Sequence, residues 1–131
     1  MDKIEKVLIG EERRLFEYRG CLSRHLKNLQ GKKAKANAIG FIKKILDRKE
    51  WPPQQHFKKI KTVKGTNIWE MRTILKGVHY RYICYCQHNR EYILVVKVFT
   101  HEEMNKKFKP DAIKKWNDLG LLWYREIYED D

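Results

Sequence analysis

Asn67-Ile68-Trp69-Glu70-Met71-Arg72-Thr73-Ile74-Leu75 alternates along its length: Trp69, Met71, Thr73 and Leu75 share one parity, and Ile68, Glu70, Arg72 and Ile74 the other. A period of two belongs to a strand whose faces meet different surroundings. Lys76-Gly77 reads as a tight turn, after which Val78 to Cys86 alternates again. The His88-Asn89-Arg90 turn leads to a third run, Tyr92 to about Thr100, rich in β-branched residues. Three strands joined by short turns predict an antiparallel meander.

Upstream of Trp51-Pro52-Pro53 the period is helical. Leu15, Tyr18, Leu22, Leu26 and Leu29 form one stripe, which predicts a helix from Glu11 to the Gln30-Gly31 stop. A second helix is predicted from Ala34 or Lys35 to about Lys49, with Ala38, Ile42, Ile45 and Leu46 inward and Lys35, Lys43, Lys44 and Lys49 mostly outward. The prolines end it. Before both helices, Lys6 to Ile9 reads as a short edge strand ended by Gly10. After the meander, Pro110-Asp111 opens a last helix through about Leu119, and residues 126–131 form an acidic tail. The expected fold is one α+β domain over residues 1–131. An N-terminal helix hairpin packs on a small antiparallel sheet, the meander plus the edge strand, with a C-terminal helix.

The chain has 131 residues, enough for a real core without staples, and 42% of them are hydrophobic. That content excludes a disordered tail. The longest obvious apolar run is Tyr92 to Val96, far short of a membrane span. The first residues contain no apolar signal core, and Cys21, Cys84 and Cys86 make no disulfide framework. A cytoplasmic protein is expected.

The net charge of +12 is unevenly distributed. Residues 1–23 are neutral overall; residues 24–64 hold thirteen basic and two acidic side chains; residues 65–131 hold eleven and ten. A field concentrated from Arg24 to Lys64 attracts polyanions, and nucleic acid is the expected partner. The stretch lacks the aromatic and leucine face of an interfacial helix, so no membrane partner is expected.

Strand parity separates Arg72 from Trp69 and Met71, Arg81 from Tyr80 and Tyr82, and Lys97 from Val96 and Val98. If the hairpin covers the apolar set, the opposite face carries Arg72, Arg81, Lys97 and His101, with Tyr85 and Phe99 among them. Arginines there would grip phosphate and the rings would stack on bases. A half-buried sheet with a solvated outer face shows the same parity.

The order Ile68-Trp69-Glu70-Met71-Arg72, Gly77-Val78-His79-Tyr80-Arg81-Tyr82 and Tyr92-Ile93-Leu94-Val95-Val96 resembles the RelE/HigB superfamily of toxins, more narrowly its phage-derived Gp49-like branch. Phe99, Lys106-Lys107-Phe108-Lys109 and Pro110-Asp111-Ala112 follow in the order that family shows. His56-Phe57-Lys58-Lys59-Ile60 is similar to its basic lead-in. The resemblance covers roughly residues 5–120 in layout. It implies the toxin of a type II toxin–antitoxin pair, a ribosome-dependent mRNA endonuclease in which a ribose 2′-OH attacks the adjacent phosphate. Its partners would be the ribosome, mRNA and an antitoxin of helix-turn-helix type, and no cofactor is implied. By motif position Arg81 would grip the scissile phosphate, with Arg72, His101 and Lys107 completing the catalytic set. Lys97, Lys106, Lys109, Lys58, Lys59, Lys43, Lys44 and Tyr85 are the expected RNA contacts.

The sequence departs from the family at several points. Glu70 stands where some members carry a base, and Phe108 where several carry a tyrosine. Thr100-His101-Glu102-Glu103 replaces a Lys-Lys pair nearer the Phe, and the step from Phe99 to Pro110 is about three residues long of the family's. A non-catalytic RNA- or DNA-binding module of the same fold is the alternative function. A third reading joins Cys84, Cys86 and His88 with Cys21 and His25 as a zinc site, although no CxxC knuckle is present and no metal is expected.

Overall fold

A computed structural model describes residues 3–129. Six strands and four helices follow in the order β1 (Ile4–Ile9), β2 (Arg14–Tyr18), α1 (Cys21–Asn28), α2 (Lys32–Asp47), β3 (Phe57–Lys59), β4 (Ile68–Leu75), β5 (Val78–Tyr85), β6 (Tyr92–Thr100), α3 (His101–Lys107) and α4 (Pro110–Glu129). The strands form one mixed sheet, ordered β1-β2-β6-β5-β4-β3. The α+β class holds, and the meander is β4-β5-β6. It is extended by β3 on one side and by β2, parallel to β6, on the other. The fold is therefore larger than a three-stranded sheet with one edge strand.

The first helix is the main correction. Residues 14–18 are a strand, because Leu15 and Glu17 both turn inward and are buried while Arg14 and Phe16 are half-exposed. Leu15, Tyr18 and Leu22 suit a helical stripe only while the chain is read as continuous. Gly20, with φ of 66°, bends it instead, and α1 starts after that bend. Glu17 serves the new helix, accepting from the backbone N–H of Ser23 at 2.7 Å and from its hydroxyl at 2.5 Å. That satisfies an N–H group which no residue of the helix can reach. Arg13 does the converse for α2: its guanidinium donates to the carbonyls of Ile45 (2.9 Å), Arg48 (2.6 Å) and Glu50 (3.0 Å). It is buried, and burial lowers its pKa.

Two cores lie on opposite faces of the sheet. The α1–α2 hairpin covers Leu15, Trp69, Met71, Tyr82, Cys84, Ile93 and Val95. Helix α4 covers Ile68, Ile83, Tyr85, Leu94, Val96 and Phe99. At Gly120 the helix backbone lies so close to Tyr85 that a Cβ would sit 2.1 Å from its ring. A bulge opposite Ile83 and Cys84 puts Val96 on the α4 side and Val98 back over the hairpin. The expected common face of Val96 and Val98 is thus broken by one extra residue.

Two elements lie outside the expectations. The short strand β3 occupies the basic lead-in, and α3 begins at a capping box between Thr100 and Glu103. Helix α4 runs to Glu129, well past Leu119, so Glu126 belongs to a helix and not to a tail. Asp130 and Asp131 lie outside the described residues.

Candidate functional site

On the α4 side, α4 covers one end of the sheet and leaves the other open beside α3. Three charged side chains share that open end. Glu70 sits opposite Ile83, and Arg72 directly opposite Arg81. Even spacing along β4 gives Glu70 and Arg72 the same face, and register adds Arg81. Glu70 is only 1% exposed. Arg72 grips its Oε1, with Nε at 2.6 Å and an Nη at 2.5 Å. Glu70 Oε2 is buried without a hydrogen-bond donor among the described residues, 3.9 Å from Arg81 Nε. Burial lowers the Arg81 pKa, with Glu70 acting against that and Arg72 adding to it.

His101, the first residue of α3, brings Nδ1 to 3.5 Å from Arg81 Nη2 and is exposed. Thr100 fixes where it stands, because the capping box locks the turn between β6 and α3. Glu70, Arg72, Arg81 and His101 line one groove of about 810 Å³, together with Lys58 and Lys59 of β3. Register puts Lys58 beside Glu70 and Lys59 beside Trp69, so the edge strand delivers one cation toward each face. An acid, a base and several cations therefore stand within one open groove, a set suited to proton transfer beside a phosphate.

The remaining expected residues lie elsewhere. Lys97, at the bulge, lines a smaller groove of about 220 Å³ with Arg24, His25 and Tyr80, apart from Arg72. Tyr85 is fully buried under α4 and Phe99 nearly so, so neither ring can stack on a base. The two rings were expected on a bare face; that face is the one α4 covers. Lys107 is turned to Glu103 at 3.6 Å on the same helix, and Lys106 and Lys109 are exposed outside the groove. Lys43 is held by Asp47 (3.6 Å) and the Ile9 carbonyl (3.0 Å), while Lys44 borders a third depression, between α2 and β4.

The zinc residues are parted by their own contacts. His25 hydrogen-bonds the Tyr82 hydroxyl at 2.7 Å, and His88 packs on Trp51 at 4.8 Å between ring centres. Cys84 and Cys86 are buried, which raises both thiol pKa values, and Cys21 is pushed up to about 11 by burial. Among the described residues no three His, Cys, Asp or Glu side chains gather as a metal site.

Glu70 belongs to this charged cluster although the residue pattern alone did not single it out. It stood out only as a departure from a family pattern, yet its parity with Arg72 was readable. No family model, curated protein or solved structure matches this chain. Among the described residues no helix is long and apolar enough to cross a membrane.

Proposed function

We propose that this chain is an endoribonuclease that cleaves RNA by 2′-OH attack, and that it acts as a toxin on mRNA at the ribosome. The resemblance to RelE/HigB toxins supplies the ribosome and a helix-turn-helix antitoxin; the groove supports the chemistry. The carrying observation is the buried Glu70 carboxylate, one oxygen gripped by Arg72 and the other free beside Arg81.

Glu70 Oε2 is buried beside Arg81 in the free chain; once the phosphate draws Arg81 onto itself, Oε2 takes the proton from the ribose 2′-OH as the 2′-oxygen bonds to phosphorus. Arg81 and Arg72 hold the non-bridging oxygens, whose charge grows in the phosphorane. His101 gives a proton to the 5′-oxygen as the P–O5′ bond breaks. The products are a 2′,3′-cyclic phosphate and a 5′-hydroxyl. Lys58 and Lys59 hold flanking phosphates, and the lysines of α2 add a docking field for ribosomal RNA.

Induced expression tests this reading. Growth arrest with mRNA cut on translating ribosomes, ending in cyclic phosphate and lost in Arg81→Ala and His101→Ala, is expected. Intact mRNA from soluble protein would leave an RNA-binding module without catalysis.

A further inference from the structure

The groove has a second end that the cleavage chemistry does not use. Phe57 and Trp69 stack there at 5.0 Å and 22°, and His88 extends the stack 6.1 Å from Trp69 at 15°. Phe57 is buried, Trp69 nearly so, and His88 is exposed on the turn between β5 and β6. A ring stack that starts in the core and ends in solvent leaves one flat face unpaired.

That face is held rigid. Trp51 braces it, 4.8 Å from His88 and 5.4 Å from Trp69. The Arg13 guanidinium lies 5.1 Å above the Trp51 ring, itself fixed on the three carbonyls at the end of α2. The Trp69 indole is anchored in turn, donating to the Cys86 carbonyl at 2.8 Å. Rings fixed before binding lose little freedom on it. Trp51, Trp69 and His88 line the same groove as Arg81 and His101, and Lys59 and Lys61 line it too. Trp69 lies on the hairpin side of β4 and Arg72 and Arg81 on the α4 side, so the groove reaches both past the edge strand β3.

We propose that the Trp51–His88 end is a base-stacking subsite for single-stranded RNA. It holds a base of the strand whose scissile phosphate lies at Arg81, and it rests on the RNA reading above. An exposed ring face takes any base, and the lysines beside it take the backbone. The subsite sets the register of the message across Glu70 without reading its sequence by hydrogen bonds.

The test uses the full chain and a labelled, uncleavable 2′-deoxy hexanucleotide, with binding read by anisotropy and by tryptophan fluorescence. His88→Ala weakens binding by about 5- to 150-fold, the range for losing one stacked base. His88→Phe, which keeps the ring, binds as wild type. One abasic position in the hexanucleotide weakens wild-type binding by the same factor and His88→Ala no further. Equal binding by wild type and His88→Ala, or a flat abasic scan, overturns the subsite, as does absence of binding at low salt. A positive stacking result with uncut mRNA on ribosomes would sink the cleavage reading and leave the subsite standing. Cut mRNA with unchanged binding by His88→Ala would do the reverse.

Discussion

Replacing Glu70 by glutamine changes one oxygen for nitrogen and removes one charge. The glutamine still fills the site, so packing is nearly unchanged. If Glu70 is the general base, cleavage falls by about 10²- to 10⁴-fold, or ~3–5 kcal/mol of transition-state stabilisation. Stability falls as well, because Arg72 and Arg81 face each other directly across β4 and β5 and lose their shared counter-charge. Breaking a fully buried pair costs about 3–5 kcal/mol, but the Arg72 side chain is 43% exposed and Arg81 lies 3.9 Å away. Water screening brings the expected loss to about 1–2 kcal/mol. For a domain of this size that lowers Tm by roughly 4–10 °C. Glu70→Gln with Arg72→Gln recovers part of the Tm and none of the cleavage. Primer extension on translating ribosomes and a thermal melt read the two effects separately. Cleavage by Glu70→Gln within about tenfold of wild type would refute the assignment of the base. An unchanged or higher Tm would refute the account of the arginine pair.

Other outcomes follow from the same contacts. Burial lowers the His25 pKa, so the folded chain keeps His25 neutral while the unfolded one protonates it near pH ~6.5. Stability contributed there is present above that pH and is lost as pH falls below it; His25→Gln flattens that decline in urea titrations at pH 7.5 and 5.5. Arg13→Met strands three carbonyls at the end of α2 and costs about 3–4 kcal/mol in urea, and Arg13→Lys does not recover it because an ammonium lacks the planar fork. Gly120→Ala gains about 1 kcal/mol of helix propensity, yet its methyl meets the fully buried Tyr85 ring at 2.1 Å. Overpacking of that kind costs about 1–3 kcal/mol or more, so a net loss of stability is expected in a thermal melt. Lys58→Ala lowers the slope of log binding constant against log salt by about 0.7 for single-stranded RNA, measured by anisotropy between low and moderate salt.

The meander was legible because two of its strands alternate cleanly, the third is rich in β-branched residues, and short turns join them. Helix α2 was legible for a similar reason: its lysines and its buried Ala38, Ile42 and Ile45 separate by face. Strand β2 was not, since five residues with three apolar positions fit either period, and its inward Glu17 looks like a surface residue until Ser23 is found above it. Strand β3 is too short for any period to show. The capping box of α3 was readable as Thr100 and Glu103 at the right spacing, but His101-Glu102-Glu103 looks like a turn when strand is expected to continue. At the site, parity placed Arg72 and Arg81 together. It failed for Val96 because a bulge is invisible to parity, and for Tyr85 because the length of α4 decides which half of the face stays open.

The parallel pairing of β2 with β6 joins Arg14–Glu17 to Tyr92–Val95, some 78 positions apart in the chain. A nascent chain emerges N-terminus first, so β1 and β2 wait as an isolated ribbon, marginal in water, until β6 arrives. The hairpin of α1 and α2 waits with them, because the central strands that form its floor come later. Closing so distant a contact is slow compared with local helix formation. An incomplete product ending before Tyr92 therefore lacks β6, the strand that ties β1 and β2 to the rest of the sheet, and its first two strands stay unattached.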